Sequence, residues 1–377
     1  MLLEERMQAF LARRKANKAL RTVKRHEHLI DFCSNDYLSL AQSPILQKKA
    51  AEISAQLPLG STGSRLLTGH YELLETLEDK IAEFHQGEAA LVFNAGYNAN
   101  LGLLSAIPRR SDVILYDELV HASIHDGIRL SPARSSVFAH NNTSALEQLL
   151  QEHQGKTIFV LVESIYSMDG DAAPLKTIQA LCQKYQAYLV VDEAHSTGIC
   201  GHYGEGLCVE TGIHKEVFAR IYTFGKAMGG HGAAVVGSKV LKDYLLNYAR
   251  PLIYTTALSP HSTHHILEAY RLLEKKGADY IKELKERIDY FRSLLSPQIQ
   301  AHYINSLSPI QCLLTPGNEA VLELSQQLAA KGYDVRPIRM PTVAAGKERI
   351  RICLHRHNAL PEIKTLVESI NLFHSAL

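Results

Sequence analysis

Leu73, Leu74, Leu77, Ile81 and Phe84 recur at helical spacing, and the stretch AALVFN at 89–94 that follows is almost unbroken in its apolar character. The first pattern predicts an amphipathic helix and the second a strand buried on both faces. The alternation then repeats. DVILYD (112–117), TIFVLVES (157–164), AYLVVDEA (187–194), RIYTF (220–224) and AAVVGS (233–238) read as strands. Ser144 and Glu147 make a capping box for ALEQLLQEH, and a further helix spans about 175–186. Apolar strands alternating with amphipathic helices predict an α/β fold with a mostly parallel sheet covered on both faces. Beyond about residue 260 the pattern changes to long helices, GYDVRPI (332–338), RIRICL (349–354) and a closing helix from Pro361, which predicts a smaller α+β lobe. At the other end, Leu3, Met7, Phe10 and Leu11 share one helical face and predict an arm that docks on a larger body. The expected organisation is an arm over 1–38, a large domain over 39–273 and a small domain over 274–377.

Composition narrows the partners. The 377 residues carry 40 Lys plus Arg against 39 Asp plus Glu, so no global field draws the chain to nucleic acid or anionic lipid. No apolar run approaches the roughly 18 residues of a membrane span, and the N-terminus has no secretory signal core. The six cysteines form no CxxC pair, which predicts reduced thiols in a cytoplasmic protein. His195, Cys200, His202 and Cys208 lie close together, but their spacing matches no zinc pattern, and Gly198, Gly201, Gly204 and Gly206 predict a mobile loop there. No metal is expected.

Candidate chemistry collects at the strand ends, where open α/β sheets bind ligands: Asn94 to Asn98, Asp117 to His121, Ser164 to Asp169, Asp192 to His195 and Thr223 to Lys226. DEAH at 192–195 raises the possibility of a nucleotide-driven motor. Such a motor needs GxxxxGK[ST], and the nearest string, GAAVVGSK at 232–239, has serine and lysine in the wrong order. The alternative joins Asp192 and His195 to Lys226. Gly225, Gly229, Gly230 and Gly232 leave space around that lysine, which suits a bulky group on its amine.

The chain resembles the fold-type-I pyridoxal-phosphate (PLP) enzymes, and among them the α-oxoamine synthases. The likeness runs through SNDYLSL (34–40), GSTGSRLLTG (60–69), FNAGYNAN (93–100), HAS (121–123), SMDGD (167–171), DEAHSTG (192–198), TFGKAMGGHG (223–232) and RMPTV (339–343). Thr62 and Ser196 stand where several members carry glycine. The resemblance implies a seven-stranded, mostly parallel sheet and an acyltransferase that condenses an amino acid with an acyl thioester, with loss of carbon dioxide. L-alanine with a pimeloyl thioester is the expected pair, on coenzyme A or a carrier protein; glycine or serine with another acyl group is the sister alternative. It further implies a homodimer with sites at its interface, in biotin biosynthesis.

The same resemblance assigns roles. Lys226 carries the cofactor aldehyde and, once displaced by the amino acid, acts as base. Asp192 pairs with the pyridine nitrogen, His195 and Ser167 face the phenolic oxygen, and His121 stacks on the ring. Gly96 and Tyr97 open a helix whose N–H groups hold the phosphate, with Thr223 adding a hydroxyl. Arg339 grips the amino-acid carboxylate, and Arg21, Asn35 and Thr342 are further substrate contacts.

Overall fold

The computed structural model describes residues 3–23, 28–340 and 342–375. Met1, Leu2 and residues 24–27 of the expected arm, and Pro341 of RMPTV, lie outside the described residues. The chain divides into a larger unit, 35–167 with 172–283, and a smaller one, 1–34 with 168–171 and 284–377.

The larger unit is built on seven strands: β1 (Ala89–Phe93), β2 (Val113–Asp117), β3 (Arg134–Phe138), β4 (Ile158–Glu163), β5 (Tyr188–Asp192), β6 (Ala219–Thr223) and β7 (Ala233–Gly237). They pair in the order β1-β7-β6-β5-β4-β2-β3. Only β7 runs antiparallel to its neighbours, so the sheet is mostly parallel, as the apolar runs predict. Successive strand residues point to opposite faces. Phe159, Leu161, Val190 and Ile221 therefore pack under one helical layer, and Val160, Val162, Leu189 and Val191 under the other.

Two local expectations change. The helix Thr143–Glu152 is capped by Asn142, whose side chain accepts from Ala145 N–H at 2.9 Å, and not by Ser144. Asparagine is as good a cap as serine and lies two residues earlier. The glycine-rich loop after His195 is closed: Gly198 N–H bonds Gly204 O at 2.8 Å, and a Cβ on Gly204 would come 2.6 Å from Gly198 Cα. Buried Glu193 ties it down by accepting from Leu207 N–H (2.7 Å) and Cys208 N–H (2.9 Å).

His85 is fully buried against Tyr222, with ring centroids 3.5 Å apart, and bonds Glu205 O and Tyr270 OH. Burial, reinforced by Arg220 and opposed by the Glu205 carbonyl, lowers its pKa from 6.5 to about 3. The unfolded chain therefore takes up this proton first. The stability that neutral His85 contributes is complete above pH 6.5 and is lost as pH falls toward about 3, by at most about 1.4 kcal/mol per pH unit. Urea unfolding at about pH 7.5 and about pH 5.5 should show a smaller difference for His85→Gln than for the parent; an equal difference would assign the pH dependence to other groups.

The smaller unit holds an antiparallel sheet ordered Arg336–Ile338, Arg349–Cys353, Ile310–Leu314, Tyr303–Ile304, and a parallel pair of Ile30–Asp31 with Tyr333–Asp334. Its N-terminal helix, Leu3–Ala16, buries none of its residues. The expected docking of this arm therefore does not occur within the described chain: Leu3 and Phe10 are 61% and 63% exposed. No helix is long and apolar enough to cross a membrane among the described residues.

Candidate active site

The carboxyl ends of β4, β5 and β6 deliver Glu163, Asp192 and Thr223 to one cavity of about 230 Å³, whose lining also includes Asn35, Gly96, His121, His195 and Lys226. All of these belong to the larger unit. The strand ends place the acids; loops and helix starts supply the rest.

Asp192 is 5% exposed and accepts from Ala194 N–H (3.0 Å) and from the Asn100 amide (2.8 Å). Asn100 also donates to Ser123 Oγ (3.0 Å), which lies 2.7 Å from His121 Nδ1. A polar chain thus joins Asp192 to His121. His121 caps the helix Ala122–Leu130, with Nδ1 accepting from Ser123 N–H at 3.2 Å. That bond leaves the imidazole proton on Nε2. Burial lowers the His121 pKa, with Asp192 opposing and Lys226 reinforcing the shift, so the ring is neutral near pH 7.

Glu163 pairs in register with Asp192 across β4 and β5 and is 2% exposed. Burial first and Asp192 second raise its pKa well above the usual carboxyl range, so Glu163 carries the proton of the pair. Its Oε1 has no hydrogen-bond partner.

His195 is 4% exposed and its Nδ1 lies 2.8 Å from the Tyr37 hydroxyl, which is also 3.1 Å from Asn35 Oδ1. The phenol donates its one proton to Asn35 Oδ1 and holds the imidazole of His195 in place through its oxygen. Tyr37→Phe should lower kcat by about tenfold, the loss of one neutral hydrogen bond. A rate and a pH–rate profile unchanged in that variant would show that Tyr37 does not position His195.

The helix Gly96–Ala106 begins behind Ala95, which makes no side-chain cap bond, so its first N–H groups are open to an anion. A Cβ on Gly96 would come 2.6 Å from Thr223 Cγ2; only glycine lets the helix start so close to β6. Tyr97 is 40% exposed and its phenol donates to Asp126.

Lys226 lies in the turn after β6, half-buried in the cavity wall. The glycines around it divide the labour. Gly225 is open, with only Gly230 O within 4 Å of an added Cβ, at 3.8 Å. Gly229 (φ +61°) instead packs on the Leu40–Ala41 backbone, where a Cβ would meet Ala41 N at 2.2 Å. Gly229→Ala should therefore destabilise the protein by about 1–3 kcal/mol through a strained φ and a backbone clash, measured as a fall in the urea midpoint. No fall would show that the turn relaxes freely.

The remaining expected residues lie elsewhere. Ser167 is buried and its backbone N–H faces the Glu163 carboxyl, but it is not in the cavity lining. Arg21, Arg339 and Thr342 belong to the smaller unit. There Arg21 is exposed, Arg339 donates to the Lys18 carbonyl, and Thr342 N–H bonds Arg339 O at 2.9 Å. Of the two positions where family members carry glycine, Thr62 takes a left-handed φ of 55°, and the Ser196 hydroxyl bridges Glu193 to Ser164 Oγ (2.8 Å).

The cavity fits PLP on its own chemistry. It combines a helix start open to a dianion, a buried carboxylate whose partners are neutral amides, a buried imidazole held by Tyr37, and a lysine in the wall.

The family profile for aminotransferase class I and II matches residues 27–370. The chain is 41% identical to the 8-amino-7-oxononanoate synthase of Emericella nidulans over 368 residues, covering 90% of this chain and 88% of that protein. Among solved structures it is similar to the 8-amino-7-oxononanoate synthase of Francisella tularensis (29% identity, TM-score 0.79, 93% and 99% of the two chains). A serine palmitoyltransferase from S. paucimobilis with bound PLP shares the fold, at 24% identity, with a TM-score of 0.91 over 100% and 99% of the two chains.

Proposed function

The chain belongs to the aminotransferase class I and II family, and from that premise we propose that it is a PLP-dependent acyltransferase joining L-alanine to a pimeloyl thioester. Alanine, the thioester and one proton give 8-amino-7-oxononanoate, carbon dioxide and a free thiol. The observation that carries this reading is the convergence of Asp192, His195, His121 and Lys226 on one cavity.

PLP, when bound, supplies an aldehyde carbon that takes up an amine, and a ring that draws in the electrons left by a broken Cα bond. The protein does the rest. The N–H groups at Gly96 and Tyr97, with the Thr223 hydroxyl, hold the phosphate. Asp192 holds a proton at the ring nitrogen. His195 would meet the phenolic oxygen, and neutral His121 would support the ring. Lys226 takes the proton from the alanine Cα and returns one after carbon dioxide has left, so the acyl group ends on the carbon that bore the carboxylate. Arg339 grips that carboxylate before it is lost, with Arg21, Asn35, Ser167 and Thr342 as supporting contacts.

We assign the enzyme to the cytoplasm and to a homodimer. The uncovered apolar face of the helix Leu3–Ala16, with Met7 at 49% and Leu11 at 54% exposure, supports a second copy as its partner. The deciding experiment is a thiol-release assay of the PLP-loaded enzyme with pimeloyl-coenzyme A and each of alanine, glycine and serine. Alanine should give the highest kcat/KM; turnover with glycine or serine and none with alanine would reassign the substrate.

A further inference from the structure

At the other end of the same strands, where β5 and β6 begin and β7 ends, lies a second cavity of about 460 Å³. Its inner wall contains Arg220, which is 2% exposed. One guanidinium nitrogen, Nη1, donates to His85 O (2.7 Å) and Tyr222 OH (2.9 Å). Among the described residues, buried Nε has no acceptor. Among the described residues no carboxylate lies within 4.0 Å of this side chain. An arginine cannot shed its charge by losing a proton, and a buried cation with no counter-ion is unfavourable.

The surroundings of Arg220 point the same way. His214, in the same wall, has both ring nitrogens buried and unpartnered. Burial lowers its pKa, and Arg220 and Lys215 lower it further against the opposing Glu216. Lys215 lines the cavity with an exposed ammonium, while Glu88 and Glu216 are exposed at the same lining. Gly87 packs beside the guanidinium: a Cβ there would stand 2.3 Å from Val236 Cγ1 and 3.2 Å from Nη2. Ser238, which caps the helix Lys239–Tyr248 by accepting from Leu241 N–H at 3.1 Å, completes the lining.

We propose that this cavity binds a phosphoryl group as the counter-ion of Arg220, with Lys215 and His214 as further donors. Donors on separate segments suit a tetrahedral oxyanion better than a planar carboxylate. The cavity also exceeds what a lone phosphate needs, so the group is either inorganic phosphate or the end of a phosphate ester. The site lies at the strand ends away from Lys226 and takes no part in the proposed turnover.

The test is calorimetric titration of the PLP-loaded enzyme, whose own phosphate cradle is then filled, with inorganic phosphate and separately with adenosine monophosphate. At least one probe should show a single saturable site. Lys215→Ala should weaken it about tenfold, as expected for one charge-assisted hydrogen bond, and Arg220→Gln should abolish it. Tighter binding of the nucleotide identifies an ester; equal or tighter binding of phosphate identifies the free ion. If Arg220→Gln does not fold, the exposed-side double variant His214→Ala with Lys215→Ala and a selenate-soaked crystal of the parent carry the test. Selenium density beside Arg220 supports the assignment. Absence of saturable binding for both probes, or binding unchanged in the variants, overturns it, whatever the turnover assay shows.

Discussion

Replacing Lys226 with alanine lowers thiol release by at least about 10³-fold, within the range ascribed to a general base and compounded by loss of the covalent anchor. The side chain is half-buried in the wall of a cavity that already exists, and the hydrogen bonds that join Asp192, Asn100 and Ser123 are made without it. Thermal unfolding of both proteins separates a loss of chemistry from a loss of fold. Borohydride treatment of the parent should fix the cofactor on the peptide containing Lys226, and the alanine variant should retain no label. Label on another lysine, or more than a tenth of parental turnover in the variant, would remove Lys226 from the chemistry.

Asp192→Asn keeps the shape of the side chain and deletes its charge. The expected loss in kcat is about 10² to 10³-fold, the size found when one preorganised electrostatic contact is removed from a reaction centre. Two features of the environment argue against a smaller effect. Asp192 is buried, which strengthens its field at the cavity, and the neighbouring acid Glu163 is held protonated and cannot replace it. The absorbance of the bound cofactor should also titrate differently in the variant. Steady-state kinetics with alanine, alongside a spectroscopic pH titration, checks both; parental kcat with a parental titration curve would mean that Asp192 only caps its strand.

The elements that were legible in the sequence were those with one unambiguous periodic signal. The central strands β4, β5 and β6 are nearly continuous apolar runs because both of their faces are covered. Strand β3, RSSVF, carries no such run: it is the sheet edge, and Arg134 and Ser135 are exposed. The true cap at Asn142 was hidden because Ser144 and Glu147 offered a competing pattern a few residues on. In the site, Asp192 and His195 could be singled out in one motif, DEAHSTG, and Lys226 in another, TFGKAMGGHG. Asn100 and Tyr37 could not: they reach Asp192 and His195 across separations of 92 and 158 residues, and only the folded sheet brings them there. Glu163 left a faint signal, a single acid closing an apolar run, but its protonated state follows from the strand pairing that sets it beside Asp192.

That pairing has an evolutionary corollary. Neighbouring strands are held about 4.8 Å apart by their hydrogen-bond ladder, so the groups that handle protons at the ends of β4 and β5 sit on a ruler that surrounding loops cannot stretch. Insertions and exchanges in those loops can reshape which amine and which chain length are accepted while the proton-handling core stays in place, and a change of appetite in this lineage need not begin with a change of chemistry.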